Sequence, residues 1–232
     1  MVSLEEMEDS DKRSFTCTWD KNSDCINCEI KGNLDCKWKK ALLIRFYKGA
    51  LPALLFGGIG FVLVALFVSF IPLLIYIGFW IFFFGFFEIR VLCSHCPYYA
   101  KPGFVLHCLA NHGTIKLWRY HPEPMNFFEK SSFLAGALFF VLFPVLAEIY
   151  GIYALLVHLN PNIIQLIALI SLANLSFFSG IYFFYFLLKN TCPKCVNFSC
   201  PLNKVPKHLV DSYLQKNLIM KKAWEGSGYR LD

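Results

Sequence analysis

Polar and apolar positions fall in long blocks along this chain. From Gly49 to Phe87 no side chain is charged. That run is about twice the roughly 20 residues that cross a bilayer, so it must turn back once. Ser69-Phe70-Ile71-Pro72 supplies the turn, because Ser69 is a capping residue and Pro72 suits the first turn of a new helix. A second apolar run, Ser132 to Leu188, breaks at Leu159-Asn160-Pro161-Asn162, again a cap beside a proline. The pattern predicts helices over 49–68, 72–92, 132–158 and 162–188, paired as two tight hairpins. The segments around them are polar: 1–48 at the N-terminus, 93–131 in the middle and 189–232 at the end.

Composition agrees with that reading. The 232 residues are 56% hydrophobic and 16% charged, against about 25% charged in a soluble domain. Mean hydropathy is +0.49. A disordered chain is excluded, an ordinary soluble one is disfavoured, and no room remains for a large catalytic domain. The expected fold class is an all-α integral membrane protein: hairpins at 49–92 and 132–188, with the lipid bilayer as the first partner.

Charge sets the expected orientation. All 22 Lys and Arg lie in 1–48, 89–131 and 189–232, and none lies in the turns within the hairpins. The positive-inside rule then places the protein in the cell membrane with both termini and the middle loop in the cytoplasm. The net charge of +6 reflects residues such as Lys37, Lys39, Lys40, Arg45 and Lys48 beside a helix end. They read as topology signals and contacts to anionic lipid, and no nucleic acid is expected as a partner. The acidic start, Glu5-Glu6-Met7-Glu8-Asp9, lacks the apolar core of a cleavable signal, so the first helix is expected to direct insertion.

Ten cysteines carry the candidate chemistry, and all lie in the three polar segments. Cys17, Cys25, Cys28 and Cys36 form C-x7-C-x2-C-x7-C. Cys93, Cys96 and Cys108, with His112, form C-x2-C-x11-C-x3-H. Cys192, Cys195 and Cys200, with His208, form C-x2-C-x4-C-x7-H. In a reducing cytoplasm structural disulfides are disfavoured, and paired thiols point to metal. A tight Cys-x-x-Cys turn brings two sulfurs to one side of an ion, and a distant pair closes the tetrahedron. The twelve residues make three four-ligand sites, with exchange between blocks allowed. Zinc is the favoured ion and an iron–sulfur cluster the alternative. No block has ferredoxin spacing, although the first, without histidine, best suits a cluster. The three polar segments thus read as a cysteine-rich cytoplasmic metal-binding cap. Disulfides would require the inverted topology.

His95-Cys96-Pro97-Tyr98, in a cysteine-rich loop between the second and third of four helices, resembles the core of the protein S-acyltransferases. Those enzymes carry Asp-His-His-Cys, four helices and cytoplasmic zinc. The resemblance covers about five residues; Ser94 stands at the place of the first His and Cys93 at that of the Asp, and the long upstream cysteine pattern is missing. It implies acyl transfer through Cys96. A b-type haem is not expected, since His158 has no second histidine for the other axial position.

Among acidic residues, Glu88 is expected to pair with Arg90 at the interface. Glu148 lies deeper, four residues after Pro144, and reads either as part of an aromatic belt with Tyr150 and Tyr153 or as a small quinone or headgroup pocket. Gly57-Gly58-x-Gly60 sits inside a span with no preceding strand, so it marks a close helix contact rather than a nucleotide site. Each half repeats a basic approach with a tryptophan (Trp38, Trp118), a hairpin and a Cys-x-x-Cys, the plan of an internal duplication. The tail from Pro206 to Trp224 puts Leu209, Val210, Tyr213, Leu214, Asn217 and Leu218 near one face of a basic amphipathic helix, suited to a membrane surface or to covering the metal sites. Two function classes follow: a membrane-anchored zinc scaffold that docks a protein partner at the cytoplasmic face, or an iron–sulfur subunit passing electrons to a membrane carrier or partner enzyme.

Overall fold

The computed structural model describes residues 17–20, 23–158 and 162–232, the His158 side chain excepted. The acidic tip at 1–14 and the Leu159–Pro161 break lie outside the described residues. The described chain is all-helical, with two isolated bridges, Lys31–Leu34 and Val105–Ile115, and no strand. Its helices are α1 (Lys40–Phe67), α2 (Ile71–Phe82), α3 (Glu88–Val91), α4 (Phe127–His158), α5 (Ile163–Phe186), α6 (Lys207–Gln215) and α7 (Leu218–Gly226). Four helical stretches are long and apolar enough to cross a membrane: Lys40–Phe67, Ile71–His95, Phe127–Val157 and Ile163–Lys194.

Two of these begin earlier than the apolar runs do. α1 starts nine residues before Gly49, at Lys40, because Lys and Arg are good helix formers and a helix need not stop where the apolar run does. α4 starts at Phe127 behind a capping box: Asn126 Oδ1 accepts from the Glu129 N–H and Glu129 Oε2 from the Asn126 N–H, both at 2.9 Å. At the start of α2 the Ser69 hydroxyl accepts from the Ile71 N–H at 3.2 Å, with proline in the first turn. Asn162 and Gln165 form a second capping box on α5.

The chain divides into two compact units. The first to consider is the apolar one, residues 44–87 and 131–187. Val64, Leu155 and Leu169 form its buried cluster, from α1, α4 and α5. Glycines set the helix approaches: Gly151 lies against Val64, Gly180 against Val141 and Gly136 against Phe83. Pro144 cannot donate to the Phe140 carbonyl one turn back. The Tyr76 hydroxyl, from α2, donates to that carbonyl at 3.1 Å instead. Glu148 is fully buried, its Oε1 accepting from the Ser176 hydroxyl at 2.8 Å. Gly60 leaves the space its carboxyl fills, since a Cβ there would overlap Oε1.

The other unit gathers residues 1–43, 88–130 and 188–232, and all ten cysteines fall within it. Its core contains Ile30, Leu34, Tyr98, Val196, Val210, Tyr213, Leu214, Met220 and Trp224. The tail forms two helices rather than one, broken at Asn217. That side chain turns inward, its Oδ1 accepting from the Cys17 N–H at 2.5 Å and its Nδ2 donating to the Tyr213 carbonyl at 2.8 Å. Leu218 is left exposed, while Val210, Tyr213, Leu214, Met220 and Trp224 pack inside the unit.

The Gly60–Glu148 fit gives a direct test. Gly60→Ala should cost about 1–3 kcal/mol of stability in detergent by overpacking. In a Glu148→Ala background the same substitution should cost much less, because the colliding oxygen is gone. Equal losses in both backgrounds, measured by thermal unfolding, would contradict the assignment.

Candidate metal centre

Both apolar stretches that lead into Cys-x-x-Cys end alike. The helix opens into a π-helical turn, Phe83–Phe87 in one and Leu187–Thr191 in the other; a 3₁₀ turn follows, Cys192–Lys194 at once in the second and Cys93–His95 after the short α3 in the first. The residue before each turn has nearly the same torsions: Leu92 at φ −110°, ψ −52°, and Thr191 at φ −112°, ψ −51°. The closing cysteines match as well, Cys96 at −85°, 135° and Cys195 at −77°, 127°. Each closing N–H donates to the carbonyl of the first cysteine, at 3.0 Å for Cys96 and 3.4 Å for Cys195.

Hydrogen bonds tie the three polar segments together. The Asp35 N–H donates to the Lys194 carbonyl at 2.8 Å. Asn197 Nδ2 donates to the Leu92 carbonyl at 3.0 Å, joining the surroundings of the two cysteine turns. The Tyr98 hydroxyl donates to the Asp35 carbonyl. The indoles of Trp19, Trp38 and Trp224 donate to the carbonyls of Pro97, Cys108 and Pro122. Thr18 and Tyr213 share a hydroxyl hydrogen bond of 2.6 Å.

This assembly leaves the thiols in two groups, none in a disulfide. Cys17, Cys25, Cys28 and Cys36 lie within electrostatic reach of one another. The Cys25–Cys28 turn is held by Asp24, whose Oδ1 accepts from the Ile26 and Asn27 N–H groups at 3.1 Å. Lys37 Nζ donates to the carbonyls of Cys17 and Asp20 and to the Ser23 hydroxyl. Burial raises Cys17, and burial then neighbouring thiols push Cys36 up to about 12.

The second group mixes two sequence blocks. Cys96 interacts with Cys108, Cys195 and Cys200, and Cys195 with Cys192, Cys200 and Cys108. Burial raises Cys96 and Cys195 and pushes Cys200 up to about 12. Cys108 is lowered, first by the hydrogen bond from the Cys93 thiol and then by backbone N–H groups of Ala110, Asn111 and Leu109. Asn111 Nδ2 lies 2.8 Å from Glu88 Oε2 and 3.6 Å from Cys93 Sγ, so the buried Glu88 faces this group rather than Arg90. Arg90 instead lies 3.5 Å from Glu129. As placed, no three His, Cys, Asp or Glu side chains among the described residues converge closely enough to hold an ion.

The histidines lie elsewhere. His112 stacks on Trp38 with centroids 4.4 Å apart, beside His107, and the Nδ1 atoms of both are buried without a partner. His208 is exposed on α6. His95 Nδ1 meets the Glu123 carbonyl at 2.7 Å, and its Nε2 lies 3.5 Å from Glu129. Cys96 is 5% exposed with a raised pKa, the reverse of what an acyl-accepting nucleophile requires. Neither the Asn111 link nor the inward Asn217 was visible as chemistry in the sequence. The only signal was their position beside or across from cysteines.

Near this group an open pocket of about 310 Å³ is lined by Tyr99, Ala100, Gly103, Phe104, Lys116, Trp118 and Tyr120. Burial, then Lys101, pulls Lys116 down to about 8. Set against protein families, curated proteins and solved structures, the chain matches none.

The Lys116 environment predicts unusual reactivity. An amine pulled down to about 8 carries a far larger neutral fraction at pH 8 than an ordinary lysine. Acylation with a small amine reagent at pH 8, followed by mass spectrometry, should modify Lys116 ahead of the exposed Lys39 and Lys40. Labelling of Lys116 no faster than these would contradict it.

Proposed function

We propose that this is a multi-pass membrane protein whose cysteine-rich unit is a cytoplasmic metal-binding cap, with zinc as the metal, acting as a membrane-anchored scaffold that docks a protein partner. The four apolar spans would form two hairpins and place both termini in the cytoplasm. One observation carries the reading: three segments separated by apolar helices meet in one unit and bring all ten thiols with them. The helices wholly inside that unit are short, none longer than nine residues. So small and loop-rich a unit gains much from a cross-link, and metal supplies one where disulfides do not persist. The hairpin around Val105–Ile115 leaves Phe104, Ile115, Leu117 and Trp118 exposed, an apolar face for a partner.

A second reading is favoured by one feature: the thiol groups contain no histidine. All-thiolate sets hold iron–sulfur clusters as readily as zinc. That reading makes the protein an electron-transfer subunit whose acceptor sits at the same face.

Protein purified without oxygen separates the two. The scaffold predicts at least two tightly bound zinc ions per chain and no visible absorbance. A brown protein with a reducible centre would select the second reading. Neither zinc nor iron at stoichiometric level would contradict both. A reporter fused after Asp232 should be active on the cytoplasmic side; activity only on the opposite side would overturn the topology.

A further inference from the structure

The Val105–Ile115 hairpin helps to build a concave surface that no cysteine lines. Across the hairpin the Lys116 N–H donates to the Phe104 carbonyl at 2.8 Å, and the Leu106 N–H to the Thr114 carbonyl at 2.9 Å. This register sets Phe104 and Lys116 opposite one another, and both line the open pocket of about 310 Å³. Beyond Lys116 every second residue, Trp118 and then Tyr120, lines it too. Tyr99 makes a further wall. Its ring is buried, and its hydroxyl is fixed twice to the Trp118 backbone, donating to the carbonyl at 2.7 Å and accepting from the N–H at 3.1 Å. Four aromatic rings thus line the space, and two of their positions are locked by one another's hydrogen bonds.

Lys116 is the one charged residue in that lining, and no carboxylate belongs to it. The ion pairs of the described residues do not include Lys116. Its amine is held in place without being neutralised. Nζ donates to the Lys101 carbonyl and stands 5.2 Å from the centre of the Tyr99 ring. An ammonium has three donor hydrogens, so this backbone bond leaves others for a ligand. Burial and the nearby Lys101 act against the charged form, as they do on a partly desolvated cation with no anion beside it. An anion is the partner that such a site lacks. A second cation would meet repulsion from Lys116 and Lys101, and a neutral ligand would leave the ammonium unpaired. An apolar lining with one positioned charge is the make-up of a small-molecule site, and the volume lies at the small end of that class.

We propose that this pocket binds a small organic anion, a carboxylate or phosphate on a flat apolar body, with Lys116 receiving the charge and Tyr99, Phe104 and Trp118 receiving the body. The inference does not involve the metal-binding reading and holds with or without it.

Equilibrium dialysis of the full-length protein in a neutral detergent tests it, with naphthoate as the probe. The wild type should bind naphthoate beyond the uptake of empty micelles. Lys116→Gln should bind it about tenfold more weakly, since a charge-assisted hydrogen bond is lost, and Lys116→Arg should restore much of the binding. Phe104→Ala removes a ring that is 83% exposed, so the fold stands while naphthoate binding weakens severalfold. Lys39→Gln should change nothing. Naphthylmethylamine, with the same flat body and the opposite charge, should not compete. Equal binding by wild type and Lys116→Gln would overturn the proposal, as would competition by the amine. Where Lys116→Gln fails to fold, the wild type decides: naphthoate should slow acylation of Lys116 severalfold and leave Lys39 unaffected, and no slowing would overturn the site. Nanodiscs identify the source of the anion. Displacement of naphthoate by phosphatidylglycerol but not by phosphatidylcholine marks a lipid headgroup, and displacement by neither marks a free solute.

Discussion

Everything in the cysteine-rich unit depends on one constraint: its three segments cannot fold separately. Each is short, and long apolar helices interrupt the chain between them. Residues of all three face a common core around Tyr98, Tyr213 and Trp224, and Ile89, Cys93, Tyr99 and Leu106 form a second cluster beside it. The hydrogen bonds that cross between segments run largely through backbone carbonyls, as with Asp35 to Lys194 and Trp38 to Cys108. Such bonds hold only while the segments are already in place. A cation bound by thiolates from distant segments would supply that placement, since its binding free energy becomes folding free energy.

The apolar unit answers a different constraint. Inside lipid each backbone group must find a partner in the protein. Pro144 removes one N–H, and the Tyr76 hydroxyl covers the carbonyl it strands. Glu148 is accommodated by a glycine on α1 and a serine on α5 rather than by an opposite charge. Its neighbours give it the character of a packing element among three helices. Its second oxygen, Oε2, is buried without a hydrogen-bond partner among the described residues.

The helical spans were legible because their signals are long and local. Uninterrupted apolar runs, Ser69 before Pro72 and Asn162 with Gln165 all lie within a few residues of the element they define. The earlier start of α4 was legible too, in Asn126 and Glu129, but lay outside the apolar run that drew attention. Thiol partners were less legible because spacing reports only neighbours along the chain. Cys96 and Cys195 lie nearly a hundred residues apart, and nothing in the spacing of either block marks the other. The placement of His112 followed from Trp38, whose aromatic face competes with any role for that imidazole beside Cys108. The tail showed its amphipathic face plainly, yet the break at Asn217 depends on Cys17, at the other end of the chain.

Amide hydrogen exchange of the full-length protein in detergent, with and without a zinc chelator, addresses the central claim most directly. If thiolate-bound metal holds the segments together, chelation should release the amides of 93–111 and 192–203 in one cooperative step, while α1, α4 and α5 keep their protection. Unchanged protection after complete removal of metal, or release of one segment while the other stays protected, would contradict the account.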